Sequence, residues 1–222
     1  GCSQGSIVNY MKKFGIQAYP TKQTVYPRFN FNGSNSEKAY MMGFRAGDLN
    51  IQHICNTIYV QSTTTIVEQF DLFRSIFSKY GYVPEETNIY RGYKQFICRV
   101  SLDLSFLFLL DKPEHIINPC WNFIGGYFDA EGCITHFNKV NKQRFRIKLG
   151  SCDNSLVSDI YYVMVNDGFK VSKYTQLLDS GKDFDYITTN SVAASIALGT
   201  KLLAYIKHPC KVSKLSSCLS MI

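Results

Sequence analysis

Two stretches decide the reading: Ala39-Tyr-Met-Met-Gly-Phe-Arg-Ala-Gly-Asp48 and Asn122-Phe-Ile-Gly-Gly-Tyr-Phe-Asp-Ala-Glu131. Aligned on their closing acids they lie 83 residues apart (48 to 131). Both place a glycine five positions before the acid (Gly43, Gly126), an aromatic four before it (Phe44, Tyr127) and a small residue next to it (Gly47, Ala130). Each reads as a helix. Ser34-Asn-Ser-Glu37 is a start signal for the first, and Asn118-Pro119 for the second, as a cap followed by proline at the first helical position. Gly43 and Gly47, like Gly126 and Ala130, are four apart, so each helix carries a face of small residues on which another backbone can approach closely.

The sequence that follows repeats too. Alternating stretches (Ile51–Gln61; Ile134–Lys148) lead into amphipathic helices (Thr65–Tyr80; Asn154–Asp167), each ending at a glycine, Gly81 or Gly168. Second extended stretches (Asn88–Val100; Lys170–Thr188) and closing helices (Leu104–Leu110; Ser191–Ile206) complete each half. The predicted fold is α+β, two pseudo-symmetric αββαββα repeats, each with a curved antiparallel sheet, packed through the two opening helices. Residues 1–35 form an N-terminal extension, 36–114 the first repeat, 115–118 a linker and 119–222 the second repeat. From Gly81 to Gly168 the offset grows to 87, so the second half has four extra residues, placed in its first hairpin around Asn138–Lys142.

Asp48 and Glu131 are the informative residues. Each sits in the last turn of its helix, where the macrodipole makes an extra anion unfavourable by about 0.3–1 kcal/mol. Packing the helices together also brings the two carboxylates towards each other. A divalent cation offsets both costs, and magnesium, bound through one or two carboxylates and a substrate phosphate, suits such a donor set.

The paired segments resemble the motifs of the LAGLIDADG homing endonucleases. Ile124-Gly-Gly-Tyr-Phe-Asp-Ala-Glu-Gly132 is a strong match; Met41-Met-Gly-Phe-Arg-Ala-Gly-Asp-Leu49 is weaker, ending in leucine where the family usually has glycine. The resemblance implies a single-chain, pseudo-twofold monomer. It also implies that each sheet enters the major groove of a long, nearly palindromic DNA site, and that both strands are cut by metal-dependent hydrolysis with 3′ overhangs. Asp48 and Glu131 match the metal-binding acids, with Mg²⁺ as the cofactor and Ca²⁺ or Mn²⁺ able to substitute. Gln61 and Lys148 match the groups that organise water around the scissile phosphate, and Lys214, preferred to Lys211, the later lysine; Lys112 is a poor counterpart in the first half. Two other functions fit the same fold: a maturase acting on its own intron RNA, and a DNA-binding regulator that has lost cleavage.

Charge patterning supports a nucleic-acid partner. The 222 residues carry a net charge of +7, shared evenly, with 12 basic and 9 acidic groups up to residue 118 and 12 and 8 beyond. In Arg144-Phe-Arg-Ile-Lys-Leu149 the even positions are basic and the odd ones apolar, which makes one cationic strand face. With Lys139 and Lys142, the stretch 135–148 holds five cations and no acid, on a ribbon of major-groove width. The first half offers His53, Asn56 and Tyr59 in its first hairpin and Arg91, Lys94, Gln95 and Arg99 in its second. The second hairpin of the other half offers Lys170, Lys173, Tyr174, Gln176 and Lys182.

Other classes are excluded by what the sequence lacks. No apolar run is long enough to span a bilayer, and Gly1–Gly33 has no apolar segment of signal-peptide type. There is no C-x-x-C pair, H-x-x-H pair, G-x-G-x-x-G or Walker pattern among the eight cysteines, four histidines and 15 glycines. The cysteines read as reduced core thiols, which points to a reducing intracellular compartment. Residues 9–31 read either as an arm along a nucleic-acid backbone or as a strap over a sheet edge.

Overall fold

The computed structural model describes residues 10, 13–14, 26–111, 119–139 and 142–220. Helix α1 spans Asn35–Asp48, β1 Asn50–Ile54, β2 Thr57–Thr64, α2 Val67–Phe77, β3 Glu86–Tyr90 and β4 Tyr93–Leu102, and a 3₁₀ helix covers Leu104–Leu110. The second half continues with α3 Trp121–Glu131, β5 Cys133–Lys139, β6 Lys142–Ser151, α4 Asn154–Asn166, β7 Val171–Leu177, β8 Asp183–Thr189, α5 Val192–Leu203 and α6 Pro209–Ser220. Each half contains one four-stranded antiparallel sheet, in the order β1-β2-β4-β3 and β5-β6-β8-β7. The sheets share a connectivity, so the repeat read in the sequence is a repeat of topology.

Local chemistry sets the element ends. The Ser34 hydroxyl accepts from the Glu37 backbone N–H at 3.2 Å and caps α1, as its sequence signal predicts. Helix α3 instead begins after Cys120, with no side-chain cap, so the start expected at Pro119 moves two residues on. The closing element of the first half is a 3₁₀ turn series and not an α-helix. Its seven residues start from Asp103, whose carboxylate accepts from the Ser105 N–H, and they bury Phe106, Phe108 and Leu109. Helix α6 is an addition beyond the predicted repeat.

The extra residues of the second half lengthen its first hairpin. Asn50 pairs with Gln61, and Cys133 pairs with Lys148, so twelve residues close the first hairpin and sixteen the second, a difference of two rungs. Each half has its own core: Phe70, Phe73, Phe77, Tyr80 and Phe106 dominate one, and Trp121, Phe128, Phe145, Ile147 and Leu198 the other. Met42 of α1 packs against both.

Helices α1 and α3 join the halves at their small residues. A Cβ on Gly43 would stand 1.9 Å from Phe123 O, and one on Gly126 2.1 Å from Tyr40 O. Those contacts are related by the same 83-residue offset as the motifs (43 to 126, 40 to 123). Before α1, Phe29 N donates to Tyr80 O at 2.9 Å, Arg28 bridges to Gly81, and Phe31 packs on Tyr80, Phe106 and Phe108. Residues 28–31 therefore act as a strap; residues 1–9, 11–12 and 15–25 of the N-terminal arm, like the linker 115–118 and Lys112, lie outside the described residues. Among the described residues, no helix is long and apolar enough to cross a membrane.

Candidate nucleic-acid interface and acidic centre

Because α1 and α3 cross closely, their C-terminal ends lie side by side, and each ends on an acid. The last turn of α1 touches the opposite acid directly: a Cβ on Gly47 would meet Glu131 Cγ at 2.8 Å and Ala130 Cβ at 2.4 Å. Asp48 is half-buried and Glu131 the more exposed. Burial pushes both carboxyls above their ordinary range, and for Glu131 the charge of Asp48 adds to the push. Asp48 is partly relieved by Lys211 and by the Gln69 amide, which donates from Nε2 to Asp48 Oδ2 at 2.5 Å. Burial, with the Asp48 charge second, pushes the neighbouring Cys98 thiol up to about 12, so it stays protonated and unreactive.

The lysine at this centre is Lys211. Its ammonium donates to the carbonyls of Phe128, Asp129 and Ala130 at 2.8, 2.7 and 3.3 Å, taking up the carbonyl end of α3. Burial pulls its pKa down, and Asp129, Asp48 and Glu131 oppose that pull. The expected Lys214 lies one helical turn on, in a groove with Glu68, His136, Cys210, Ser213 and Ser217. Residues 209–220 form a helix, and it is Lys211, in the first turn, that reaches the carbonyl end of α3.

Gln61 joins Gly47, Asp48, Asn50, Ser62 and Thr63 around an open cleft at the end of α1. Lys148 is its counterpart by register: Gln61 pairs with Asn50, two residues after Asp48, and Lys148 with Cys133, two after Glu131. The Lys148 ammonium sits 3.7 Å from the centre of the Tyr186 ring.

Side-chain alternation sorts the remaining candidates. In β6, Phe145, Ile147 and Leu149 are buried against helices, so Arg144, Arg146 and Lys148 share the opposite, open face with Thr135 and Phe137. Arg146 lies over the Phe137 ring at 5.2 Å. Through β8 and β7 the same face continues with Tyr186, Tyr174 and Gln176. In the first sheet it carries Gln52, Tyr59, Gln61, Gln95 and Arg99, with Arg99 ion-paired to Glu86. Arg91 and Asn56 occupy exposed hairpin turns, and Lys170 and Lys182 flank β7 and β8. Lys139 and Lys142 close the tip of the β5–β6 ladder.

Three residues expected on DNA face the other way. His53 pairs with buried Ile58, and Lys94 lies over the ring of buried Phe96, both on the helix side. Lys173 is on that side too, bonded to Ser158 Oγ at 2.8 Å and to the buried carboxylate of Asp185 at 3.1 Å. His53 and Lys173 belong to stretches that are polar at both parities, whereas Lys94 shares its parity with the buried Phe96, Cys98, Val100 and Leu102, an alternation the sequence already carried. The cysteines also depart from expectation: of the seven described, only Cys98 and Cys218 are buried. Cys133 alternates onto the open face, and Cys55 occupies a turn with φ 52°.

Sequence reading missed Gln69, Asp129 and Tyr40. Asp129 is wholly buried, and its Oδ2 accepts from the Tyr40 hydroxyl and from the backbone N–H groups of Lys207 and His208. The available signal was an acid set between the apolar residues Phe128 and Ala130.

Residues 119–194 match the family model of the LAGLIDADG-like domain. The chain resembles the homing endonuclease I-WcaI bound to its DNA recognition sequence, with TM-score 0.54 and 15% identity over 97% of this chain and 94% of that one. It also resembles I-DmoI in complex with DNA and Ca, with TM-score 0.52 and 18% identity over 82% and 97%. Full-length DUF199/WhiA from Thermatoga maritima gives TM-score 0.54 and 10% identity over 86% and 62%. No curated protein matches by sequence.

Proposed function

We propose that this chain, which carries the LAGLIDADG homing endonuclease fold, is a site-specific double-strand DNA endonuclease that works as a monomer. The observation that carries the reading is the meeting of Asp48 and Glu131 at two adjacent helix C-termini, each followed by a sheet with a polar or cationic open face. A structural pair of helices accounts for the glycines. It gives no reason to place two acids, one of them half-buried, where dipole, desolvation and mutual repulsion all disfavour them.

The donor set fits a divalent metal. Asp48 and Glu131 offer carboxylate oxygens, and among the described residues no third His, Cys, Asp or Glu side chain clusters with them. That is how magnesium is commonly held, with water and phosphate completing the shell. Asp48 and Glu131 would hold it, and when bound it polarises a phosphoryl oxygen and makes its water acidic. The chain's own residues do the rest. Gln61 and Lys148 orient water and phosphate beside the two acids, and Lys211 keeps the acids together by lowering their repulsion. Arg144, Arg146 and the open sheet faces fix the register of the duplex.

A plasmid library of randomised long duplex sites, incubated with Mg²⁺ or with EDTA, tests the reading. Linear products with 3′ overhangs in Mg²⁺ alone are expected. The second reading is a DNA-binding protein of the same fold that does not cut, favoured by the ammonium of Lys211, bonded to the carbonyls at the end of α3, whose charge already eases both acids. Binding that is indifferent to EDTA, without a nick in Mg²⁺, selects it.

A further inference from the structure

The two acids are not held alike. Gln69, in the first turn of α2, donates its side-chain amide to Asp48 Oδ2 at 2.5 Å, in a half-buried setting. Counted back from the glycines that end the two equivalent helices, Gly81 and Gly168, its counterpart is Leu156, a core residue 1% exposed. Among the described residues, no side-chain hydrogen bond reaches Glu131. The asymmetry is one of chemistry at matched backbone positions: α2 begins at Val67 and α4 at Asn154, the same 87-residue offset as the glycines.

An amide bonded to one oxygen of a carboxylate fixes its rotamer and presents the other oxygen in a set direction. Partners of this kind commonly change metal affinity or activity by about 10–100-fold when removed. We infer that Gln69 is a positioning residue that makes the two acidic centres unequal, preorganising Asp48 for a cation while Glu131 is ordered only when the cation arrives. The inference rests on the nuclease reading for its consequence: the strand served by Asp48 is cut first, and a nicked duplex precedes the double-strand break.

Gln69→Met keeps the length of the side chain and removes the donor; Gln69→Leu copies the second half and serves should the methionine variant not fold. Mn²⁺ titration of the free protein, followed by electron paramagnetic resonance, should show one tighter and one weaker site. The variant should weaken the tighter site about tenfold and leave the other unchanged. Two equal sites in the wild type, or equal weakening of both, overturns the inference, as does the absence of any Mn²⁺ site. On a cleaved target, end-labelled strands should show the first cut slowed in the variant and the second unaffected. Unequal Mn²⁺ sites without cleavage remove the nuclease reading and leave the inference standing.

Discussion

Tyr40, on the first motif helix, and Asp129, on the second, are joined by a hydrogen bond of 2.5 Å between the two halves of the chain. The same carboxylate oxygen holds the backbone N–H groups of Lys207 and His208, shortly before Lys211. One buried acid thus ties α1 to α3 and sets the point from which α6 starts. Tyr40→Phe removes one charge-assisted bond and should cost about 1.5–3 kcal/mol of stability, read by denaturant titration. A variant as stable as the wild type would show that the junction is held elsewhere.

Gly43→Ala should be worse tolerated than its conservative chemistry suggests. The new methyl would fall 1.9 Å from a backbone carbonyl of α3, which cannot rotate away as a side chain can. The helices must part, at a cost of at least about 1–3 kcal/mol and with displacement of both acids. Loss of melting temperature together with loss of Mg²⁺-dependent cleavage is expected; normal stability would contradict the close approach.

Asp48→Asn and Glu131→Gln should abolish cleavage, leave DNA binding intact and stabilise the metal-free fold. The sign follows from the raised pKa of both acids, which burial causes. A carboxyl whose folded pKa is raised favours the folded state at low pH and loses that contribution as pH rises through the folded value. The stabilisation of each variant relative to wild type should therefore be largest at neutral pH and shrink as pH falls into the carboxylate range. Melting curves in EDTA across that window decide it, and a gap that widens on acidification would refute the assignment.

The two faces of the second sheet can be separated by salt. Arg144→Ala with Arg146→Ala, on the open face, should flatten the dependence of log K on log salt by about 0.9 for each phosphate no longer neutralised. Lys173→Met, on the helix side, should leave that slope alone. It removes the cation bonded to buried Asp185, whose pKa is held down by the Thr175 hydroxyl and then by Lys173. It should lower stability by about 1–3 kcal/mol above the carboxylate range, an effect that fades as pH falls through the depressed Asp185 value.

Lys211→Met leaves the carbonyls at the end of α3 without their donor and the acids without their nearest cation. Cleavage should fall and the metal-free protein should lose stability, whereas Lys214→Met should change neither by much. A reversal of that order, in one set of plasmid assays and melts, would restore the choice made from sequence.

The repeat, the helix pair and the acids at its end are legible in the amino-acid order alone. They rest on interactions within a few residues: Ser34 capping Glu37, glycines four apart, and a five-residue alternation of cation and apolar group in Arg144–Lys148. Wherever a strand is polar at both parities, as around His53 and Lys173, burial of one face cannot be read, because no contrast exists for the core to select. Long-range packing makes the remaining choices. It selects Lys211 over Lys214, which differ by one turn of the same helix, and it brings Gln69 to Asp48 and Tyr40 to Asp129. Those partners stand 21 and 89 positions apart in the chain, and only the packing of two cores about one helix crossing puts them within hydrogen-bonding reach.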